Sequence, residues 1–247
     1  KPTDALVLWA QENSVSVWGD IDLAWRLRDK TTSVAEWVLV TGTNGKTTTT
    51  QLVEQMLLAA GKRAIACGNI GLPILDAIRN PEGFEYLVVE LSSFQLHYMS
   101  LPHPHVAAIL NIAEDHLDWH GSFAKYVEAK AKVYQNAKRD IIYNVEDELT
   151  IDLMKEADVA SEETLAVGFT RGFPADLQVG YVEESLIDRA FFPYRAKELP
   201  QIASHEDIGL IGVVTPHLLA NIAAATAIAR ACDVDASVIG EAIKAFK

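Results

Sequence analysis

From Glu36 onward the hydrophobic positions alternate between two kinds of pattern. Short continuous apolar runs, Trp37–Thr41, 63–67, 86–90, 106–111 and 140–144, read as strands. Between them lie segments with apolar residues three and four apart, the spacing of a helical face. Residues 46–60 are one, with Leu52, Val53, Met56, Leu57 and Ala60 on one side and Gly61 suited to the stop. Residues 122–137 are another, with Phe123, Tyr126, Val127, Val133, Tyr134 and Ala137 forming the buried face. Continuous apolar strands separated by helices predict an α/β fold, a doubly wound, mostly parallel sheet covered on both faces.

The flanks differ. The first thirty residues predict helix, a short strand at Val15 and Val17, and a second helix after Gly19 and Asp20. That is too little for a domain, so 1–34 reads as the end of a preceding unit and its linker, with 35–247 as the main domain. Within 165–214, Leu177–Val182 and Leu186–Phe191 read as two strands joined by Glu183, Glu184 and Ser185, a small antiparallel flap. An Ala-rich helix from 216 to about 231 and another over 236–246 close the chain.

Composition narrows the function classes. With 49% apolar and 22% charged residues over 247 positions, the chain can bury a sizeable core. Its net charge of −13 argues against a broad nucleic-acid-binding face but leaves room for one anion in a local basic pocket. Cys67 and Cys232 stand far apart and outside any CxxC spacing, as expected of buried reduced thiols in the cytoplasm. The greasiest stretch, Leu210–Ala229, contains Pro216, His217 and Asn221, which argues against a membrane span.

The strongest chemical signal follows the first strand. Thr41-Gly42-Thr43-Asn44-Gly45-Lys46-Thr47-Thr48 opens a helix. Gly42 and Gly45 let the backbone approach an anion, and the free N–H groups of the helix start point at it. Lys46 can reach outer phosphates and Thr47 can offer its hydroxyl to Mg²⁺. The loop is a short variant: the usual pattern has its first Gly five residues before the second, and position 40 is Val.

Other polar groups end strands at the same carboxyl edge, where open α/β sheets bind ligands. Glu90 closes strand 86–90 and can hold Mg²⁺ beside a nucleotide, or cap a helix. Asn111, Glu114, Asp115, His116 and Asp118 follow strand 106–111, and His116 among acids is a candidate for metal or substrate. Gly68-Asn69-Ile70-Gly71 alone reads as a turn, and Ser92, Ser93 and Gln95 either line a polar pocket or cap the next helix. Lys130 lies on the buried face of helix 122–137. It must find an anion, lose its proton or snorkel to the surface; spacing does not choose.

Thr-Gly-Thr-Asn-Gly-Lys-Thr-Thr, Gly-Asn-Ile-Gly-Leu-Pro, Glu-Leu-Ser-Ser-Phe-Gln-Leu and Glu-Asp-His-Leu-Asp, in this order, resemble the Mur ligase family. Ala129–Tyr134 and Pro216–Asn221 extend the likeness over essentially the whole chain. The resemblance implies an ATP-dependent, two-Mg²⁺ ligase of cytoplasmic peptidoglycan precursor synthesis, working as a monomer through an acyl phosphate. The 90–96 segment resembles the branch whose substrates are UDP-N-acetylmuramoyl-L-alanine and D-glutamate. Carried over by the resemblance, Gly42, Thr43, Asn44, Gly45, Lys46, Thr47 and Thr48 hold the phosphates. Thr47 and Glu90 hold one Mg²⁺, and His116 with a carbamylated Lys130 serves the second. Asn69, Ser92, Gln95 and His116 face the UDP-sugar peptide, and Asn221 meets the adenine side of ATP. Where the family's adenine motif has Asn directly after its His, this chain has Leu218.

The family has three domains, and the likeness spans the end of the first and the whole second. The chain alone is therefore expected to bind ATP and Mg²⁺ with little ligase activity. Folylpolyglutamate synthases share the short loop and the modified lysine, but Glu90–Gln95 argues against them. An ATP-driven switch is the rival from a different class, and it has no need of His116 or a buried Lys130.

Overall fold

The computed structural model describes residues 1–30, 33–192 and 201–246. Two helices, α1 (Ala5–Glu12) and α2 (Asp20–Leu27), precede the sheet. Then follow β1 (Glu36–Thr41), α3 (Lys46–Ala59), β2 (Ala64–Gly68), α4 (Ile74–Ile78), β3 (Tyr86–Glu90), α5 (Ser93–Tyr98) and β4 (Val106–Ile109). Next come α6 (Leu117–His120), α7 (Phe123–Ala131), β5 (Asp140–Asn144), α8 (Glu148–Lys155) and β6 (Leu165–Phe169). The chain continues through β7 (Gln178–Val182), β8 (Ser185–Asp188) and β9 (Gln201–Ser204) to α9 (His205–Gly209), α10 (Pro216–Ala231) and α11 (Ala236–Ala245).

Among the described residues nine strands form one sheet, in the order β2-β3-β1-β4-β5-β6-β7-β8-β9. Pairing is parallel as far as β7, and β8 and β9 run antiparallel. Both faces are covered, and the alternation along each strand divides its side chains between two cores. Val38 and Val40 of β1, with Val106 and Ala108 of β4, face the layer of α3, α10 and α11. Trp37 and Leu39, with Ala107 and Ile109, face α2, α4, α5 and α7. Each large side chain fully buried here contributes about 1.5–3 kcal/mol. The predicted face of α3 is the buried one, with Leu52, Val53, Met56 and Leu57 inside. Gly61 leaves the helix at φ +74° as expected. In α10 the run of alanines lets the helix axis lie close to the sheet, and Thr215 caps its start ahead of Pro216.

Strand order places the site. From β1 the chain crosses to β2 on one side, while β3 later crosses over β1 to β4 on the other. The carboxyl end of β1 is thus the switch point, where neighbouring connections diverge and leave a crevice. The phosphate loop emerges there.

Several expectations are corrected. Val15 and Val17 form no strand, because among the described residues no strand lies beside them to accept the ladder bonds; both are exposed. Helix 122–137 is shorter: α7 ends at Ala131 and tightens into a 3-10 turn over Lys132–Tyr134. That turn drives both Val133 and Tyr134 into the core, where the Tyr134 hydroxyl donates to Ile142 O at 2.8 Å. Strand 106–111 ends at Ile109, where its partner β1 runs out. The antiparallel strands do not stand apart as a flap but extend the main sheet through the β6–β7 pairing. The strand expected to reach Phe191 stops at Asp188, whose carboxylate accepts the N–H groups of Ala190 and Phe191 and turns the chain. Residues 193–200 within that region, Thr31 and Thr32 within 1–34, and Lys247 lie outside the described residues.

The leading segment is not uniform. α1 buries only Ala10, whereas α2 places Ile21, Ala24 and Trp25 in the core beneath the sheet. Asp22 is buried and accepts from the backbone of Ser100 and Leu101, tying α2 to the chain after α5.

Candidate active site

Gly45 caps α3 at φ +83°, a left-handed conformation that glycine adopts without penalty. A Cβ there would overlap Asn221 Oδ1 on α10, so the loop and that helix touch through a missing side chain. Beside the loop, Asn44 N donates to Asn111 Oδ1 at 2.8 Å, and Asn111 Nδ2 donates to Asn44 O at 3.0 Å. The Thr43 hydroxyl accepts from Ala113 N at 2.9 Å and lies 2.9 Å from the Tyr126 hydroxyl. Lys46 folds back on its own loop, donating to Gly42 O at 3.0 Å and Thr43 O at 2.9 Å. Thr48, in the first turn of α3, lines a cleft beside the loop.

Glu90 is 2% exposed at the end of β3. Its Oε2 accepts from Thr47 Oγ1 at 2.8 Å and its Oε1 from Asn69 Nδ2 at 2.9 Å. Asn69 therefore braces the carboxylate. Gly68 makes this possible: at φ +95° a Cβ would press on Glu90 O.

Lys130 settles the choice that spacing left open. It is 2% exposed, and Nζ donates to Gly42 O at 2.8 Å and to Thr41 Oγ1 at 3.3 Å. The ammonium lies 4.9 Å from the Tyr126 ring centroid. Burial, with the like charge of Lys46 adding to it, brings its pKa down to about 7. The amine neither snorkels nor meets a carboxylate at ion-pair distance among the described residues.

His116 is half-exposed and left-handed at φ +51°, at the head of α6. Its Nε2 lies 3.4 Å from Asp115 Oδ2, and its ring rests 4.7 Å from that of Phe94. Ser92 and Gln95 form a capping box on α5: Gln95 N donates to Ser92 Oγ at 3.2 Å and Ser92 N to Gln95 Oε1 at 3.1 Å. Gln95 Nε2 also donates to Asp20 Oδ2 at 3.0 Å, so this side chain joins α5 to α2.

Beside the loop and α10 opens a cleft of about 770 Å³, lined by Asn44, Gly45, Thr48, Asn111, His217 and Asn221. Asn144, Glu146, Asp147 and Arg171 line it too. Sequence reasoning missed these residues. Asn144 ends β5 at the same sheet edge as Glu90, so the rule that found Glu90 would have found it. Arg171, held by Glu146 at 2.8 Å from Nε, follows a strand the periodicity did not reveal.

The Mur ligase middle domain matches residues 40–229. The chain belongs to the Mur ligase family. It is 49% identical, over 98% of its length and 49% of the relative's, to the UDP-N-acetylmuramoylalanine–D-glutamate ligase of Leifsonia xyli subsp. xyli. It is 46% identical, over 100% of its length and 52% of the relative's, to the ligase of the same name from Streptomyces avermitilis. The chain thus spans about half the length of these relatives. Among solved structures, a UDP-N-acetylmuramoyl-L-alanyl-D-glutamate–2,6-diaminopimelate ligase shares the fold with a TM-score of 0.68 at 19% identity, over 91% of this chain and 49% of that one. The MurF ligase of Thermotoga maritima in complex with ADP does so with a TM-score of 0.58 at 22% identity, over 90% and 52%.

The side chains of this Mur ligase domain can be tested against the magnesium its family implies. Among the described residues no three His, Cys, Asp or Glu cluster as a complete metal cage. Mg²⁺ needs none: it is usually held by one or two protein oxygens with water and phosphate completing the octahedron. The buried Glu90 carboxylate with the Thr47 hydroxyl on the phosphate loop fits one such ion. For a second ion, the Lys130 ammonium is the wrong charge. Only a neutral amine that had gained a carboxylate would fit, and burial favours the neutral form.

Proposed function

We propose that this chain is the ATP-binding, phosphoryl-transferring part of a ligase that joins D-glutamate to UDP-N-acetylmuramoyl-L-alanine. The observation that carries the reading is Lys130, sealed against Gly42 and Thr41 beneath the phosphate loop at a pKa of about 7. A nucleotide switch has no use for such an amine. The names of the relatives cited above support the choice of substrates.

In this reading residues 35–247 are the ATP-binding unit, and residues 1–34 lead into it. The loop N–H groups and Lys46 bind the β- and γ-phosphates, and Lys46 exchanges its two carbonyl partners for phosphate oxygens. Thr47 and Glu90 would hold one Mg²⁺; His116 and Lys130, once carbamylated, would hold a second. When bound, the ions neutralise the charge between an attacking carboxylate and the γ-phosphate. Asn221 and the cleft wall take the nucleoside. Asn69, besides bracing Glu90, faces the sugar-peptide with His116, Ser92 and Gln95, the last two through groups their cap leaves open. The free, buried Cys67 and Cys232 suit a reducing cytoplasm.

The test uses the protein expressed from its complete reading frame, with ATP, Mg²⁺ and UDP-N-acetylmuramoyl-L-alanine. Phosphate release is followed while D-glutamate, L-glutamate, L-alanine, L-lysine and diaminopimelate are offered singly. Release with D-glutamate alone is expected. Release with a different amino acid would overturn the substrate, and release with none would favour the switch.

A further inference from the structure

One buried polar pair stands beside the site and has no part in the chemistry above. His120 Nε2 lies 2.9 Å from Ser93 Oγ, and the two residues are 6% and 3% exposed. Ser93 opens α5, three residues after Glu90. His120 closes α6, a single turn bracketed by two left-handed residues, His116 at its head and Gly121 at φ +83° beyond its end. Such a turn has little rigidity of its own. Among the described residues, the Ser93–His120 pair is the one hydrogen bond between segment 116–121 and the β3–α5 connection.

The surroundings argue that the imidazole is there for that bond. Its ring stacks on Phe94 with centroids 5.9 Å apart and meets Tyr126 edge-on at 5.4 Å. Its Nδ1 is buried with no partner among the described residues. Leaving a buried polar atom unsatisfied costs stability. A phenylalanine would fill the same aromatic box without that cost. What histidine adds is the link to Ser93.

We propose that the Ser93–His120 hydrogen bond is a tether through which the β3–α5 turn, carrying Glu90, sets the position of His116. His120 is then a positioning residue. The Trp119 and His120 N–H groups both bond His116 O, at 3.0 and 3.1 Å, so fixing His120 fixes the backbone that aims His116. The consequence for catalysis rests on the ligase reading; the tether itself does not.

The experiment compares wild type, Ser93→Ala, His120→Phe, His120→Gln and the Ser93→Ala/His120→Phe double variant in the complete protein. Hydrogen exchange is read at the amides of residues 116–121, and phosphate release is titrated with Mg²⁺ and ATP. Ser93→Ala and His120→Phe are each expected to speed exchange in that segment about tenfold while leaving α3 unchanged. They should also raise the half-saturating Mg²⁺ several-fold with little change in KM for ATP. His120→Gln, whose amide nitrogen can take the place of Nε2, should restore both, and the double variant should be no worse than either single one. Wild-type exchange in Ser93→Ala and His120→Phe, or additive effects in the double variant, would overturn the tether. If wild type turns over no acceptor, the ligase reading fails, and the exchange data still decide the tether. Should His120→Phe not fold, Ser93→Ala and His120→Gln carry the comparison.

Discussion

Thr47 and Glu90 meet across 2.8 Å, hydroxyl to carboxylate, although 43 residues separate them in the chain. The first residues of α3 and the last residue of β3 thereby form one oxygen-donor pair at the sheet edge. Replacing Glu90 by Gln keeps the shape and the bond from Thr47 but removes the charge. The expected result is at least a tenfold loss of affinity for ADP in the presence of Mg²⁺, about 1.4 kcal/mol. ADP binding in excess chelator should hardly change. Calorimetric titration under both conditions checks this, and an equal loss in each would separate Glu90 from the metal.

Gly45 should tolerate no side chain. Alanine there meets a left-handed backbone, at a cost of about 1–2 kcal/mol, and its Cβ runs into Asn221. Gly45→Ala is expected to weaken nucleotide binding by more than tenfold and to lower the melting temperature. Shortening the obstacle with Asn221→Ala should recover part of the stability in the double variant. No recovery would mean that backbone strain, rather than the clash, sets the cost.

Lys130→Met keeps most of the side-chain volume and removes the amine. Because a buried ammonium without a carboxylate partner costs stability, the variant should unfold no more readily than wild type. Phosphate release dependent on the sugar-peptide should nevertheless fall by two orders of magnitude or more. Comparing denaturant midpoints with turnover separates the two effects. A variant that is both active and stable would remove Lys130 from the mechanism.

Asp140 yields a pH signature away from the site. Burial at the start of β5 pushes its carboxyl up to about 6, although Arg139 opposes the shift from 3.6 Å. The folded state therefore binds this proton more tightly than the unfolded chain does. Stability contributed here is greatest below the ordinary carboxylate range and falls as pH rises toward 6, so above 6 the charged group is a standing cost. Asp140→Asn is expected to stabilise the protein at pH 8 by about 1–3 kcal/mol, an advantage that shrinks as the pH drops from 6 to 4. Denaturant unfolding across that range tests it. A difference independent of pH would point to packing instead.

Local chemistry was legible along the chain. A strand buried on both faces needs an unbroken apolar run, so β1, β3 and β5 announce themselves. A loop that turns on glycine into a helix and offers Lys46 and Thr47 carries its meaning within eight residues. Lys130 could be placed on a buried face because helical spacing is fixed.

What required the fold was everything that depends on depth or on a distant partner. Spacing tells which side of α7 Lys130 occupies, not how deep its head lies; the packing of Tyr126 and the loop carbonyl of Gly42 decided that. Ser92 and Gln95 satisfy each other at a helix start, and Asn69 turns to Glu90, because orphaned polar groups take the nearest partner available. Val15 and Val17 alternate like a strand but have no strand to pair with among the described residues. Sequence by itself determined the elements whose stability is local and the residues able to do phosphate chemistry. Tertiary structure decided which of those residues meet, since hydrogen bonds and desolvation act over a few ångströms of space whatever the separation along the chain.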